Sequence, residues 1–188
     1  DLNPMLAHMN DLTKLIEIWA RNVALDSDCI IVGLPTRGIA WASILASVMK
    51  VEPIFLSKHK EIDGKVVPGS YVGTPRPGGV SIAIASRTVY SAENEVSVFS
   101  LHESDTARME DYRNIVIVDD ICESGTTLKS VREFFDRLFP ARRIICMPVL
   151  DVSVPVPANM KDHCCPMISM TTTGHFAPGK GLSLRPDL

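Results

Sequence analysis

Two adjacent carboxylates, Asp119 and Asp120, are followed within a few residues by Glu123, Ser124, Gly125, Thr126 and Thr127. A short loop of that composition suits a phosphate, because the backbone N–H groups of a helix start, the hydroxyls and the helix dipole converge on one anion. Acids this close to a phosphate cradle are repelled by the anion itself. They are better placed to accept from sugar hydroxyls or to hold a hydrated Mg²⁺ through its waters. The combined chemistry is that of a ribose-phosphate site. The loop is not a Walker loop, which needs GxxxxGK followed by Ser or Thr, nor a dinucleotide fingerprint, which needs GxGxxG. The plain alternative is a buried strand closed by a turn with two solvated aspartates.

The elements around this stretch follow from periodicity. Ile115 to Val118 is an unbroken β-branched run, as expected of a parallel strand buried on both faces. It would place Asp119 and Asp120 at its carboxyl end, the edge where ligands bind in open α/β sheets. Leu128, Val131, Phe135 and Leu138 then recur at helical spacing. Upstream, Asp11 to Asn22 carries Leu12, Leu15, Ile16 and Trp19 on one helical face. Cys29 to Val32 reads as a short buried strand that runs into Gly33, Leu34, Pro35, Thr36, Arg37 and Gly38 before a helix through Ala46. Right-handed βαβ connections would bring this loop to the same sheet edge as the acid pair. Arg37 there is either a surface arginine in a turn or a bidentate anion ligand.

Val51 to Leu56 predicts the next strand, with Lys58 and Lys60 just beyond its end, and the Pro/Gly-rich stretch from Glu61 to Gly79 predicts a loop. Alternation in Val80 to Val89 and in Val96 to Leu101 predicts an antiparallel pair with one wet face. Arg142 to Leu150 predicts a further buried strand, with Asp151 and Val152 at its carboxyl end. Residues 155–188 are rich in Pro, Met, Thr and Gly, with a short strand expected at Cys165 to Met170.

The segment Val116 to Leu128, VIVDDICESGTTL, resembles the phosphoribosyl pyrophosphate (PRPP) motif of the type I phosphoribosyltransferases. The loop GLPTRG resembles that family's pyrophosphate loop, which usually has a strained or cis peptide nearby. The resemblance implies a doubly wound α/β fold with a mostly parallel central sheet, a mobile antiparallel loop and a hood, here residues 155–188, in a single domain spanning 1–188. It implies transfer of a phosphoribosyl group from PRPP to a nucleobase, with Mg²⁺ as cofactor and pyrophosphate as leaving group.

Residue by residue, the resemblance assigns Asp119, Asp120, Glu123, Ser124, Gly125, Thr126 and Thr127 to PRPP. Pro35, Thr36, Arg37, Gly38 and Lys58 go to pyrophosphate, with Lys60 in reserve, and Asp151 and Val152 to the base. Asp119 and Asp120 would hold Mg²⁺ through water. Glu123, Arg37 and Glu93 form the catalytic set. Glu123 stands where the 6-oxopurine enzymes carry an Asp and adenine enzymes usually an Ala, which points to a purine. However, Met147 to Val152 lacks the Lys that reads a 6-oxo group, so the choice among purines stays open. A homodimer is implied as well. The alternatives are an orotate or other pyrimidine enzyme, a PRPP-sensing regulator of this fold that binds nucleic acid, and a catalytically weak member acting through protein contacts.

Composition sets the outer bounds. The chain has 188 residues, 46% hydrophobic and 22% charged, enough for one domain with a full core. A net charge of −3 and a pI near 5.9 argue against nucleic acid as a partner. No apolar run reaches the ~18 residues of a membrane span, and the N-terminal stretch lacks a signal-peptide core. Five cysteines, an odd number, favour reduced thiols in a cytoplasmic protein. Adjacent Cys164 and Cys165 lack the gap of a zinc knuckle. The first residue is Asp and not Met, as in a piece of a longer protein.

Overall fold

The structure, a computed structural model, describes residues 9–73, 78–85, 94–122, 125–151 and 168–169. Five parallel strands form the central sheet: β1 (Cys29–Gly33), β2 (Pro53–Phe55), β7 (Asn114–Cys122), β8 (Arg143–Asp151) and β9 (Ile168–Ser169), in the order β2-β1-β7-β8-β9. Four more strands form an antiparallel sheet: β3 (Ser57–Ile62), β4 (Lys65–Val66), β5 (Gly79–Ala85) and β6 (Glu95–His102), in the order β4-β3-β6-β5. The helices are α1 (Met9–Asn22), α2 (Gly38–Met49), α3 (Glu103–Met109) and α4 (Thr126–Leu138).

The parity of the β-branched runs divides the core. Ile31, Val116 and Val118 pack with Ile16, Trp41 and Leu45, so one face of the parallel sheet is covered by α1 and α2. Ile30, Val32, Ile115 and Ile117 pack with Val131 and Phe135 of α4 and with Phe99 and Leu101 of β6 on the other face. Burial of every residue in β1, and of Asn114 to Val118 in β7, is what an unbroken apolar run implies for a strand covered on both sides.

Two expectations are corrected. β7 does not end at Val118 but runs through the acid pair to Cys122, held there by β8, which pairs Asp119 with Pro148 and Cys122 with Asp151. Neighbouring β1 stops at Gly33 opposite Val118, so the acids still stand beyond the sheet edge on that side. Residues 61–79 are not all loop, since β3 reaches Ile62 and turns into β4. The run SKHKEI is polar on both faces, so hydrophobic alternation could not mark it. α3 is a seven-residue helix that no apolar period announces; His102 caps it, its Nδ1 accepting from the Ser104 amide.

The predicted hairpin of β5 and β6 is present, although its tip lies outside the described residues, as does all of 155–188 except β9. Cys29, Cys122 and Cys146 are buried and form no disulfide, while Cys164 and Cys165 lie outside the described residues. Among the described residues, no helix is long and apolar enough to cross a membrane.

Candidate active site

The order β2-β1-β7-β8 places the topological switch between β1 and β7. From β1 the chain passes through α2 to β2, and from β7 through α4 to β8, so the two connections diverge and leave a crevice at the carboxyl ends of the central strands. Asp119 and Asp120 stand at this place. Being consecutive in a strand, they project to opposite faces of the sheet.

Asp120, on the α2 face, is 7% exposed, and its Oδ2 lies 2.8 Å from Nε of Arg37, whose side chain is 74% exposed. Asp119, on the α4 face and half-buried, turns its Oδ1 back to accept from the Asp120 amide at 2.9 Å. Burial first, then the charge of Asp120, pushes the Asp119 carboxyl up to about 7, while the Lys58 ammonium opposes the rise.

The Pro35 to Gly38 loop is fastened to this pair. The Leu34 amide donates to the Val118 carbonyl at 3.0 Å, Pro35 is buried, and the Pro35–Thr36 peptide is cis. Thr36 and Arg37 are left exposed. Gly38 lies so close to β7 that an added Cβ would stand 2.6 Å from the Val118 oxygen. Close approach, and not a special φ, is therefore what this position requires of glycine. No side chain caps α2.

The second helix start has the same character. Gly125 precedes α4 with φ +71°, in the left-handed region, and again no side chain caps the helix. That backbone conformation is a reason for glycine at this position. Thr126 and Thr127 open α4 half-buried. Two helix N-termini without side-chain caps thus begin at the ends of the two strands that flank the switch point, a setting that favours anions.

Lys58 does not lie on a free strand end. β2 and β3 are joined through Leu56 alone, which carries Lys58 into the antiparallel sheet, where its ammonium lies 5.3 Å over the Phe99 ring. Burial and Lys60 lower its affinity for a proton, and Asp119 and Glu95 raise it. The reserve candidate, Lys60, lies 2.8 Å from Oε1 of Glu95, a carboxylate 8% exposed.

Glu95 was missed in the sequence. The signal was available, because the alternation of EVSVFSL puts Glu95 on the face of Phe99 and Leu101, where a carboxylate needs a cation. Of the remaining predicted residues, Glu93, Glu123, Ser124 and Val152 lie outside the described residues. Asp151 ends β8 beside Cys122 of β7.

A model of the phosphoribosyl transferase domain matches residues 4–172. The chain belongs to the phosphoribosyl transferase domain family. As a member of it, the chain is 24% identical over 133 residues to adenine phosphoribosyltransferase from Prochlorococcus marinus (strain MIT 9211), an overlap of 71% of this chain and 64% of that protein. The overlap is thus under two thirds of the relative's length. The adenine phosphoribosyltransferase structure from Thermoanaerobacter pseudethanolicus ATCC 33223 superposes with a TM-score of 0.60 at 17% identity, covering 90% of this chain and 86% of that one. For the enzyme from Rhodothermus marinus DSM 4252 the TM-score is 0.59 at 15% identity, covering 90% and 85%.

These likenesses establish the fold of this phosphoribosyl transferase domain, the parallel sheet with flanking helices and an antiparallel sheet. The Pro35–Thr36 cis peptide stands in the GLPTRG loop, near which the resemblance called for a strained or cis bond.

Proposed function

We propose that this chain transfers the phosphoribosyl group of PRPP to a purine base, releasing pyrophosphate and forming the nucleoside 5′-monophosphate. One observation carries the reading: the acid pair stands at the switch point between two helix starts, with Arg37 on one side and Lys58 on the other. Adenine is the first base to test, because the relatives in sequence and structure bear the name adenine phosphoribosyltransferase.

In the reaction a ring nitrogen of the base bonds to C1 of the ribose, and the C1–O bond to pyrophosphate breaks with its electron pair leaving on oxygen. A proton departs from the base. Positive charge builds on the sugar and negative charge on the leaving group, so the task of the site is charge stabilisation and exclusion of water. The Arg37 Nε is engaged by Asp120, which leaves the Nη end of an exposed fork for the pyrophosphate. Lys58 adds a second positive charge.

Asp119 and Asp120 accept from the ribose hydroxyls. The amides and hydroxyls at Gly125, Thr126 and Thr127 hold the 5′-phosphate, remote binding that fixes the reacting carbon. In the same proposal Glu123 and Ser124 complete the loop, Glu123 exchanges a proton with the base, Glu93 belongs to the loop that closes the site, and Asp151 and Val152 meet the base.

Mg²⁺ fits this set. Among the described residues no group of three His, Cys, Asp or Glu forms a cage, and Mg²⁺ is commonly held by waters, substrate phosphates and one or two carboxylates. A carboxyl kept near neutrality by burial and a like charge is one that a hydrated cation would favour in its ionised form. Asp119 and Asp120 would hold the ion through water, and it would supply charge neutralisation to the departing pyrophosphate. Assembly as a cytoplasmic homodimer, implied by the resemblance, belongs to the same proposal.

The test is pyrophosphate release from PRPP with Mg²⁺ and a panel of adenine, hypoxanthine, guanine, orotate and uracil. Release with a purine is expected. Release with orotate or uracil alone would move the chain to the pyrimidine enzymes, and PRPP binding without release would favour the regulator.

A further inference from the structure

On the PRPP reading the leaving group meets a cation of β3, yet the strand offers two. Lys58 and Lys60 are two residues apart and so share a face of β3, the one on which their register partners Phe99 and Ser97 lie in β6. The two side chains have different surroundings. Lys58 lies over Phe99. The Lys60 ammonium, in a side chain 43% exposed, is drawn diagonally to Glu95 at the first position of β6. That carboxylate shares a buried strand face with Ser97, Phe99 and Leu101, where an acid stays charged only beside a cation. The opposite face of β3 is occupied separately, with His59 and Glu61 bonded to each other at 2.9 Å.

We propose that Glu95 is a positioning residue that withdraws Lys60 from the anion site and leaves Lys58 as the cation that meets the leaving pyrophosphate. This rests on the PRPP reading of the site. Lys58 feels the other three groups, disfavoured as an ammonium by Lys60 and favoured by Asp119 and Glu95, so all four share one electrostatic field. Two free lysines would grip the substrate and the product pyrophosphate alike. Binding that is uniform along the reaction does not speed the chemical step and slows departure of the product. Glu95 takes one cation out of that grip while keeping its own buried charge compensated.

The experiment is calorimetric titration of inorganic pyrophosphate with magnesium chloride into four proteins: wild type, Glu95→Gln, Lys60→Gln and the double variant. Glu95→Gln should bind about three- to tenfold tighter, because one positive charge is freed beside a polyanion in a partly aqueous setting. Lys60→Gln should bind weaker by a similar factor, since the Glu95 carboxylate then draws on Lys58, the other ammonium that feels its charge. The double variant, whose two amides can still pair, should return to within about twofold of wild type.

A purely structural ion pair would lower the melting temperature of Glu95→Gln and leave its affinity unchanged, and that result overturns the proposal. A double variant as weak as Lys60→Gln overturns it too, since Lys60 would then be a ligand in its own right. Should Glu95→Gln fail to fold, the contrast between Lys60→Gln and the double variant decides. Wild-type protein that binds pyrophosphate but turns over no base refutes the transfer reading, with the cycle still deciding the role of Glu95. Wild-type protein that does not bind pyrophosphate refutes both.

Discussion

Replacing Gly38 by Ala tests how the anion loop is seated on the acid pair. A methyl group there would stand 2.6 Å from the Val118 carbonyl oxygen and 3.2 Å from Asp119 Cα, where comfortable contacts lie at ~3.5 Å or more. Neither atom can retreat. Val118 is paired with Gly33 on one side and Met147 on the other, and its oxygen also accepts from the Leu34 amide at 3.0 Å. The start of α2 must move instead, by roughly 1 Å to restore contact.

Overpacking of this kind costs about 1–3 kcal/mol, offset in part by the up to ~1 kcal/mol that Ala gains over Gly in a helix. A net loss of roughly 1–2 kcal/mol corresponds to a fall of about 2–8 °C in melting temperature for a domain of this size. The functional loss should be out of proportion to this. Arg37 adjoins the displaced residue, and a 1 Å misplacement of a positioning group can cost ~10²-fold in rate. Urea unfolding followed by the fluorescence of buried Trp41 in α2, beside the rate of pyrophosphate release, measures both quantities. Unchanged stability together with unchanged turnover would refute the reasoning.

Asp119→Asn should stabilise the protein above neutral pH. The folded carboxyl is raised from the ordinary carboxylate range to about 7, so between those values the folded state holds a proton that the unfolded chain releases. Wild-type stability should therefore fall as pH rises from about 4 to about 7, and the variant, whose amide oxygen can still accept from the Asp120 N–H, should lack that slope. A gain of order 1–3 kcal/mol at pH 8, vanishing near pH 4, is expected in melting curves; a variant less stable at pH 8 would contradict the burial of this charge. Gly125→Ala should lose about 1–2 kcal/mol in urea unfolding, because φ +71° is a left-handed conformation that a Cβ opposes, and unchanged stability would place the strain elsewhere.

The sequence was most readable where one residue type had one physical use. Ile115 to Val118 could only be a strand covered on both faces, and the acids directly after it had to stand near the carboxyl edge of a parallel sheet. The pattern left the end of β7 open, because Ile121 and Cys122 extend the strand only by pairing with β8. Lys58 was identified from its place after a strand, whereas its surroundings depend on a second sheet whose SKHKEI strand has no apolar period.

The contact between Arg37 and Asp120 joins residues far apart in sequence and exists only because Gly38 lets α2 begin against β7. Nothing local to either residue encodes it. Glu95 was legible in principle, as an acid on the apolar side of an alternating strand.

The central claim is that the Asp119–Asp120 crevice binds PRPP, and calorimetric titration of PRPP with Mg²⁺ into wild-type and Asp120→Asn protein tests it most directly. Asn at 120 loses an ionised acceptor for the ribose and the charge that holds Arg37 at 2.8 Å. Hydrogen bonds to charged groups are worth about 1.5–3 kcal/mol, so affinity should fall by about 10- to 150-fold while circular dichroism shows the fold intact. A folded Asp120→Asn protein that binds PRPP as tightly as wild type would contradict the account.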